Sequence, residues 1–160
     1  MRIIGMLGGM SLVSTASYYA CLNRLASERM GGLHSARILL HSVDFAPITQ
    51  MQKAGDWESS GLVLAEAARG LEAAGAGVMM IAANTMHIVA DQVREATALP
   101  FIHIADATAD AIAAAGLKRP GLIATAFTME LPFYRDRLEA AGLSPVIPDA
   151  GARAEIHRII

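Results

Sequence analysis

The chain has 160 residues, of which 54% are hydrophobic and 18% charged, and its formal net charge is −2. This composition supplies a core, excludes disorder, and offers no basic face for nucleic acid or anionic lipid. Charged residues or histidine interrupt every apolar run before the ~18 residues of a membrane span. Met1 leads directly into Arg2-Ile3-Ile4 with no secretory signal, and the one cysteine excludes an internal disulfide, so the expected compartment is the cytoplasm.

Strand-length apolar runs occur at Arg2–Leu7, Arg37–Val43, Val78–Ala83, Phe101–Ile104 and Gly121–Thr125. Helical spacing of apolar residues predicts helices over Ser14–Met30, Glu58–Ala74, Met86–Thr97, Ala105–Ala115 and Glu130–Ala141. Gly75, Gly116 and Gly142 follow three of these helices, where a left-handed residue commonly ends the turn. Trp57-Glu58-Ser59-Ser60 reads as a helix entry, and Cys21 as a packing residue inside the first helix. Pro145 and Pro148 mark a break before Ala150–Ile160, within which Arg153–Ile160 opens an amphipathic helix. Its end on Ile159-Ile160, with no glycine cap, reads as an interrupted element. Alternating apolar strands and helices predict an α/β fold, a parallel sheet flanked by helices on both faces.

Two junctions share one design. Ile3–Leu7 breaks into Gly8-Gly9-Met10-Ser11, and Val78–Ala83 breaks into Asn84-Thr85, each before a helical pattern. Strand C-termini meeting helix N-termini present unpaired N–H groups, which suit a small carboxylate or phosphate. The first turn is neither Gly-x-Gly-x-x-Gly nor Gly-Lys-Ser/Thr, so nucleotide binding is poorly supported. Asp44, after the second strand, is the only residue placed where a ribose-binding acid would sit. Asn84 or Thr85 also suits a helix N-cap, a role compatible with anion binding. His41, His87 and His103 lack metal-ligand spacing and read as core or rim residues. His87, in the first turn after Asn84-Thr85, also has a candidate role in orienting or polarising. Asp106 and Asp110 lie on one helix, with Asp106 at its positive N-terminal end.

Several segments together resemble the aspartate/glutamate racemase family. They are Leu7–Ser11, Gly31–Ser35, His41–Phe45, Asn84–His87, Ile104–Thr108 and Thr128–Glu130, and the likeness extends from Met1 to Ile160. It is greatest toward the bacterial broad-specificity and L-aspartate/glutamate branch. The resemblance implies an isomerase built from two similar α/β lobes, with residues 1–99 as the first and 100–160 as the start of the second. It also implies a substrate that is an acidic amino acid, no pyridoxal phosphate or metal cofactor, and homodimerisation, which is common in the family. Racemisation removes a Cα proton from one face and returns one to the other, so it needs two opposed acid/base groups. Family members carry a cysteine pair for this purpose, and the first cysteine, or a threonine in its place, directly precedes Asn-Thr. That position here is Ala83, and no second cysteine motif occurs in the sequence. The resemblance further implies substrate binding by Met10, Gln52, Asn84, Thr85 and Thr125. The expectation is therefore a racemase-type chain, the N-terminal two-thirds of such a protein, with impaired chemistry. Two alternatives stand beside it: a one-base decarboxylase of the same superfamily, which lacks the first cysteine, and a non-catalytic amino-acid-binding remnant.

Overall fold

Parallel pairing begins at the N-terminus, where β1 (Ile4–Gly8) lies between β2 (Ile38–Ser42) and β3 (Val78–Ile81), and β4 (Phe101–Ile102) adds to β3. The computed structural model describes all residues from Met1 to Ile160, which divide into two units, Met1–Ile102 and His103–Ile160. The first unit also holds α1 (Leu12–Met30), α2 (Phe45–Ala54), α3 (Trp57–Ala73), a 3-10 turn at Thr85–Val89 and α4 (Ala90–Glu95). The second holds α5 (Ile104–Ala114), α6 (Ala126–Glu130), α7 (Pro132–Ala140) and α8 (Ala150–Ile159). No helix is long and apolar enough to cross a membrane.

Because strand side chains alternate between faces, Leu7, Met79 and Ile81 share one side of the sheet. They pack there with Leu64, Ala68 and Leu71 of α3 and with Met86, Val89 and Val93, all buried. Gly5 belongs to this face, and a Cβ there would come within 2.9 Å of the Ala76 Cβ. The other face is thinly covered, since α1 buries only Thr15 and Ala26. Leu40 and Ile102, both registered on Met6 or its neighbour Met80, are 45% and 48% exposed.

In the second unit, Ala105 and Ala109 of α5 pack on Tyr134 and Leu138 of α7 and on Leu143. The Tyr134 hydroxyl donates to Thr108 Oγ1 at 3.1 Å, and Arg137 spans both oxygens of Asp106 at 3.0 and 2.9 Å. That ion pair is largely solvated and contributes little to stability.

The structure departs from the sequence expectations in several places. Gly121–Thr125 forms no strand; one bridge, Gly121 to Val146, is all that pairs. Pro148 supplies no N–H to extend the ladder past Val146, and Pro120 supplies none from the opposite segment. The helix expected over Glu130–Ala141 is α7 and starts two residues later, because Leu131, with ψ 146°, takes the extended geometry that the residue before Pro132 prefers; α6 just before it was not expected. The single helix expected over Met86–Thr97 is a 3-10 turn followed by α4, and Asn84 makes no side-chain cap bond. Cys21 is exposed rather than packed, with its sulfur 3.7 Å from Arg24 Nη2, because α1 turns most of its surface to solvent. Gly75, Gly116 and Gly142 take positive φ as the helix-end reading requires.

Asp56 caps α3 by accepting the Ser59 backbone N–H at 3.0 Å. Chiefly through that bond, its carboxyl is held below the ordinary aspartate range. A depressed folded pKa means stabilisation that is present above the unfolded value of about 4 and lost as pH falls through the folded value. Asp56→Ala should therefore lower the thermal midpoint at neutral pH, and Asp56→Asn should retain most of it. In acid, the advantage of wild type over Asp56→Ala should shrink toward that of Asp56→Asn, because the neutral carboxyl keeps only its carbonyl acceptor; a gap unchanged with pH would show that the carboxylate charge plays no part.

Candidate functional site

The first turn is built by Gly9, Ser11, Ser14 and Thr15. Gly9 has φ +88°, and its N–H donates to Thr15 Oγ1 at 3.0 Å, while Thr15 Oγ1 donates to Ser11 O at 2.9 Å. Ser11 caps α1 by accepting the Ser14 N–H at 3.3 Å. Thus the hydroxyls fold the Gly-Gly turn back against the helix that follows it.

The second turn leaves the sheet one residue beyond β3. Ala82 N still donates to Leu7 O at 2.8 Å, and Ala83 packs at the edge of the buried cluster. Asn84 is exposed, Thr85 half-buried and Met86 fully buried. His87 is 3% exposed, with Nδ1 2.7 Å from Ala83 O and its ring 6.0 Å from that of Phe101.

The parallel pairing of β1 with β3 puts both turns at the same edge of the sheet. One hydrogen bond joins them directly: Ser14 Oγ donates to Ala82 O at 3.0 Å. Sequence reasoning missed Ser14 and Thr15, although Ser11 ahead of the helical pattern was a readable N-cap. Gln52 reaches the same region from α2; it is buried, and its amide Nε2 donates to Met86 Sδ at 3.0 Å. Met10 lies in the core, with the whole residue only 4% exposed. Thr125 belongs to the second unit, where it precedes α6 with Oγ1 3.4 Å from Thr128 Oγ1.

Other candidates resolve into structural roles. Asp44 caps α2 by accepting the Ala46 N–H at 3.1 Å. His103 caps α5 through Nδ1, which accepts the Ala105 N–H at 3.1 Å. His41 is exposed on β2, and no group of three or more His, Cys, Asp or Glu side chains is arranged to hold a metal. A groove of about 460 Å³ lies between α1 and β2, lined by Leu12, Ala16, Tyr19 and Leu40 among others. It is mostly apolar and meets the first turn at Gly9 and Thr15.

The sequence matches the Asp/Glu/hydantoin racemase family over residues 7–160. The chain belongs to that family. Among solved structures, a candidate Asp/Glu racemase from Yersinia pestis is 47% identical, with a TM-score of 0.94 over 99% of this chain and 70% of that one. An aspartate racemase homologue from Pyrococcus horikoshii is 34% identical, with a TM-score of 0.89 over 100% of this chain and 70% of that one. The aspartate racemase of Picrophilus torridus shares the fold at 23% identity, with a TM-score of 0.77 over 97% of this chain and 66% of that one. The fold of this chain is thus that of the racemase family, and family membership makes it racemase-type.

Proposed function

We propose that the chain binds an acidic amino acid and belongs to a cofactor-independent, two-base racemisation system whose first acid/base position, Ala83, is empty. The observation that carries this reading is the pair of strand-to-helix turns at one sheet edge, tied by the Ser14–Ala82 hydrogen bond. A carboxylate is the group such backbone turns suit. Met10 through its backbone, Gln52, Asn84 and Thr85 are the proposed binding residues of the first unit. Thr125 is proposed from the resemblance alone. Ala83 offers only a methyl group, so binding and electrostatic stabilisation of a carbanion are retained while proton abstraction is not.

Binding is tested by titrating the ¹⁵N-labelled protein with L- and D-aspartate and L- and D-glutamate. The amide signals of Gly9–Ser11 and Asn84–Met86 should shift together and saturate with at least one of the four. Saturable shifts confined to other residues, or none at all, would remove the support for this site.

One observation favours a second reading, one-base decarboxylation: position 83 has no ionisable group. Loss of CO₂ from a malonate-type acid without interconversion of aspartate or glutamate enantiomers would select it.

A further inference from the structure

His87 holds the turn on which the proposed chemistry depends, and it does so through two donors. Its backbone N–H donates to Asn84 O at 3.0 Å, and Nδ1 lies 2.7 Å from Ala83 O. In a regular α-helix the N–H of residue 87 would bond the carbonyl of residue 83. The 3-10 geometry takes that N–H to Asn84 instead, which leaves the Ala83 carbonyl to another donor. The imidazole of the same residue supplies it. A carbonyl oxygen can only accept, so the His87 proton sits on Nδ1. Burial at 3% exposure and the Phe101 ring at 60° keep the imidazole in that orientation.

We infer that His87 is a positioning residue: by clamping the consecutive carbonyls of Ala83 and Asn84, it fixes where the residue-83 side chain and the Asn84-Thr85 amides face a ligand. It acts through the backbone and exchanges no proton with the ligand. This inference rests on the reading of residues 83–85 as part of a binding site.

The bland alternative is a buried histidine whose bond merely satisfies a polar group. The other two histidines with a bonded Nδ1 give the contrast. Nδ1 of His103 accepts the Ala105 N–H at 3.1 Å, and that of His157 accepts the Ala126 N–H at 3.4 Å. Both must carry their proton on Nε2 when neutral. His87 alone of the three requires the Nδ1–H form.

The test has two arms on the full chain. Long-range ¹H–¹⁵N spectra of the imidazoles should show Nδ1–H for His87 and Nε2–H for His103; Nε2–H at His87 would overturn the clamp. In the second arm, His87→Leu removes the donor, whereas His87→Asn places an amide N–H where Nδ1 was. His87→Leu should speed hydrogen exchange of the residue-87 amide and weaken binding of the best acidic amino acid about tenfold, the scale of one lost hydrogen bond. His87→Asn should bring both back to within about threefold of wild type. Unchanged exchange and affinity in His87→Leu, or no recovery in His87→Asn, would overturn the inference. If wild type binds none of the four amino acids, the functional reading fails by itself, and the tautomer and amide exchange still decide whether the clamp exists.

Discussion

Ala83→Cys is expected to give the chain a Cα–H exchange activity that wild type lacks. In D₂O, wild type should exchange the α-proton of aspartate and glutamate no faster than the buffer. At residue 83 it presents a methyl group, and Thr85 is a poor base without a partner to activate it. His87 does not fill the gap, because it is buried with Nδ1 on the Ala83 carbonyl. A thiol at residue 83 would sit at the exit of β3, just before the 3-10 turn. Nearby helix N-termini lower a thiol pKa and raise the thiolate fraction at neutral pH. Acid/base assistance by one positioned group contributes about 10²–10⁴-fold in rate. We expect a gain of about 10²-fold for one enantiomer, the modest end of that range, because one base serves one face only. Proton NMR of the four amino acids, each incubated with wild type and with Ala83→Cys, measures it. Equal rates for the two proteins would mean that residue 83 is not the acid/base position. Rapid exchange by wild type that disappears in His87→Ala would mean that the imidazole leaves its carbonyl and acts as the base.

What the sequence disclosed, and what it withheld, follows from the range of each physical signal. β1 and β3 were legible because largely buried parallel strands read as continuous apolar runs, and β2 shows a similar apolar run although its residues are half-buried or exposed. The common edge of the two turns then followed from parallel pairing alone. By contrast, α2 went unassigned, although Asp44 before it is an N-cap and Pro47 sits in its first turn, both start signals. Its apolar positions Phe45, Ile48 and Met51 recur at helical spacing, but over only 10 residues, so the periodic stretch was short. The strand at Gly121–Thr125 failed for the opposite reason. Its apolar pattern was right, but pairing depends on a partner, and the missing N–H of Pro148 stops it at one bridge. At the candidate site, the residue types Asn84, Thr85 and His87 were visible as a motif. The Ser14 bond to Ala82 spans 68 positions in sequence, so no local pattern could have announced it. The 3-10 geometry that hands the Ala83 carbonyl to His87 is likewise a backbone choice that composition does not encode.

Gly9→Ala should be the most damaging single-methyl change in the first turn. Gly9 has φ +88°, and a Cβ there would lie 2.3 Å from Val43 O, 2.7 Å from Val43 N and 2.8 Å from Ser42 Oγ. The first two are backbone atoms, and Val43 N is already committed to Gly8 O at 3.0 Å, so the neighbour cannot simply rotate aside. Relief would have to come from separating the ends of β1 and β2, or from moving Gly9 off Thr15 Oγ1, to which its N–H is bonded. Backbone strain at positive φ costs about 1–3 kcal/mol, and overpacking a close contact costs a similar amount, so the expected loss is about 3–5 kcal/mol. Gly31→Ala separates the two causes. Gly31 has φ +79°, but a Cβ there meets nothing within 4 Å, so only the conformational part, about 1–3 kcal/mol, applies. Trp57 is the one tryptophan and lies in the first unit, so its fluorescence in urea reports that unit's unfolding. The midpoint should fall well below wild type in Gly9→Ala and by a much smaller amount in Gly31→Ala. Equal midpoints for the two variants would mean that the close approach of Gly9 to Val43 does not exist in solution. The Gly8–Ser11 turn would then have room to move.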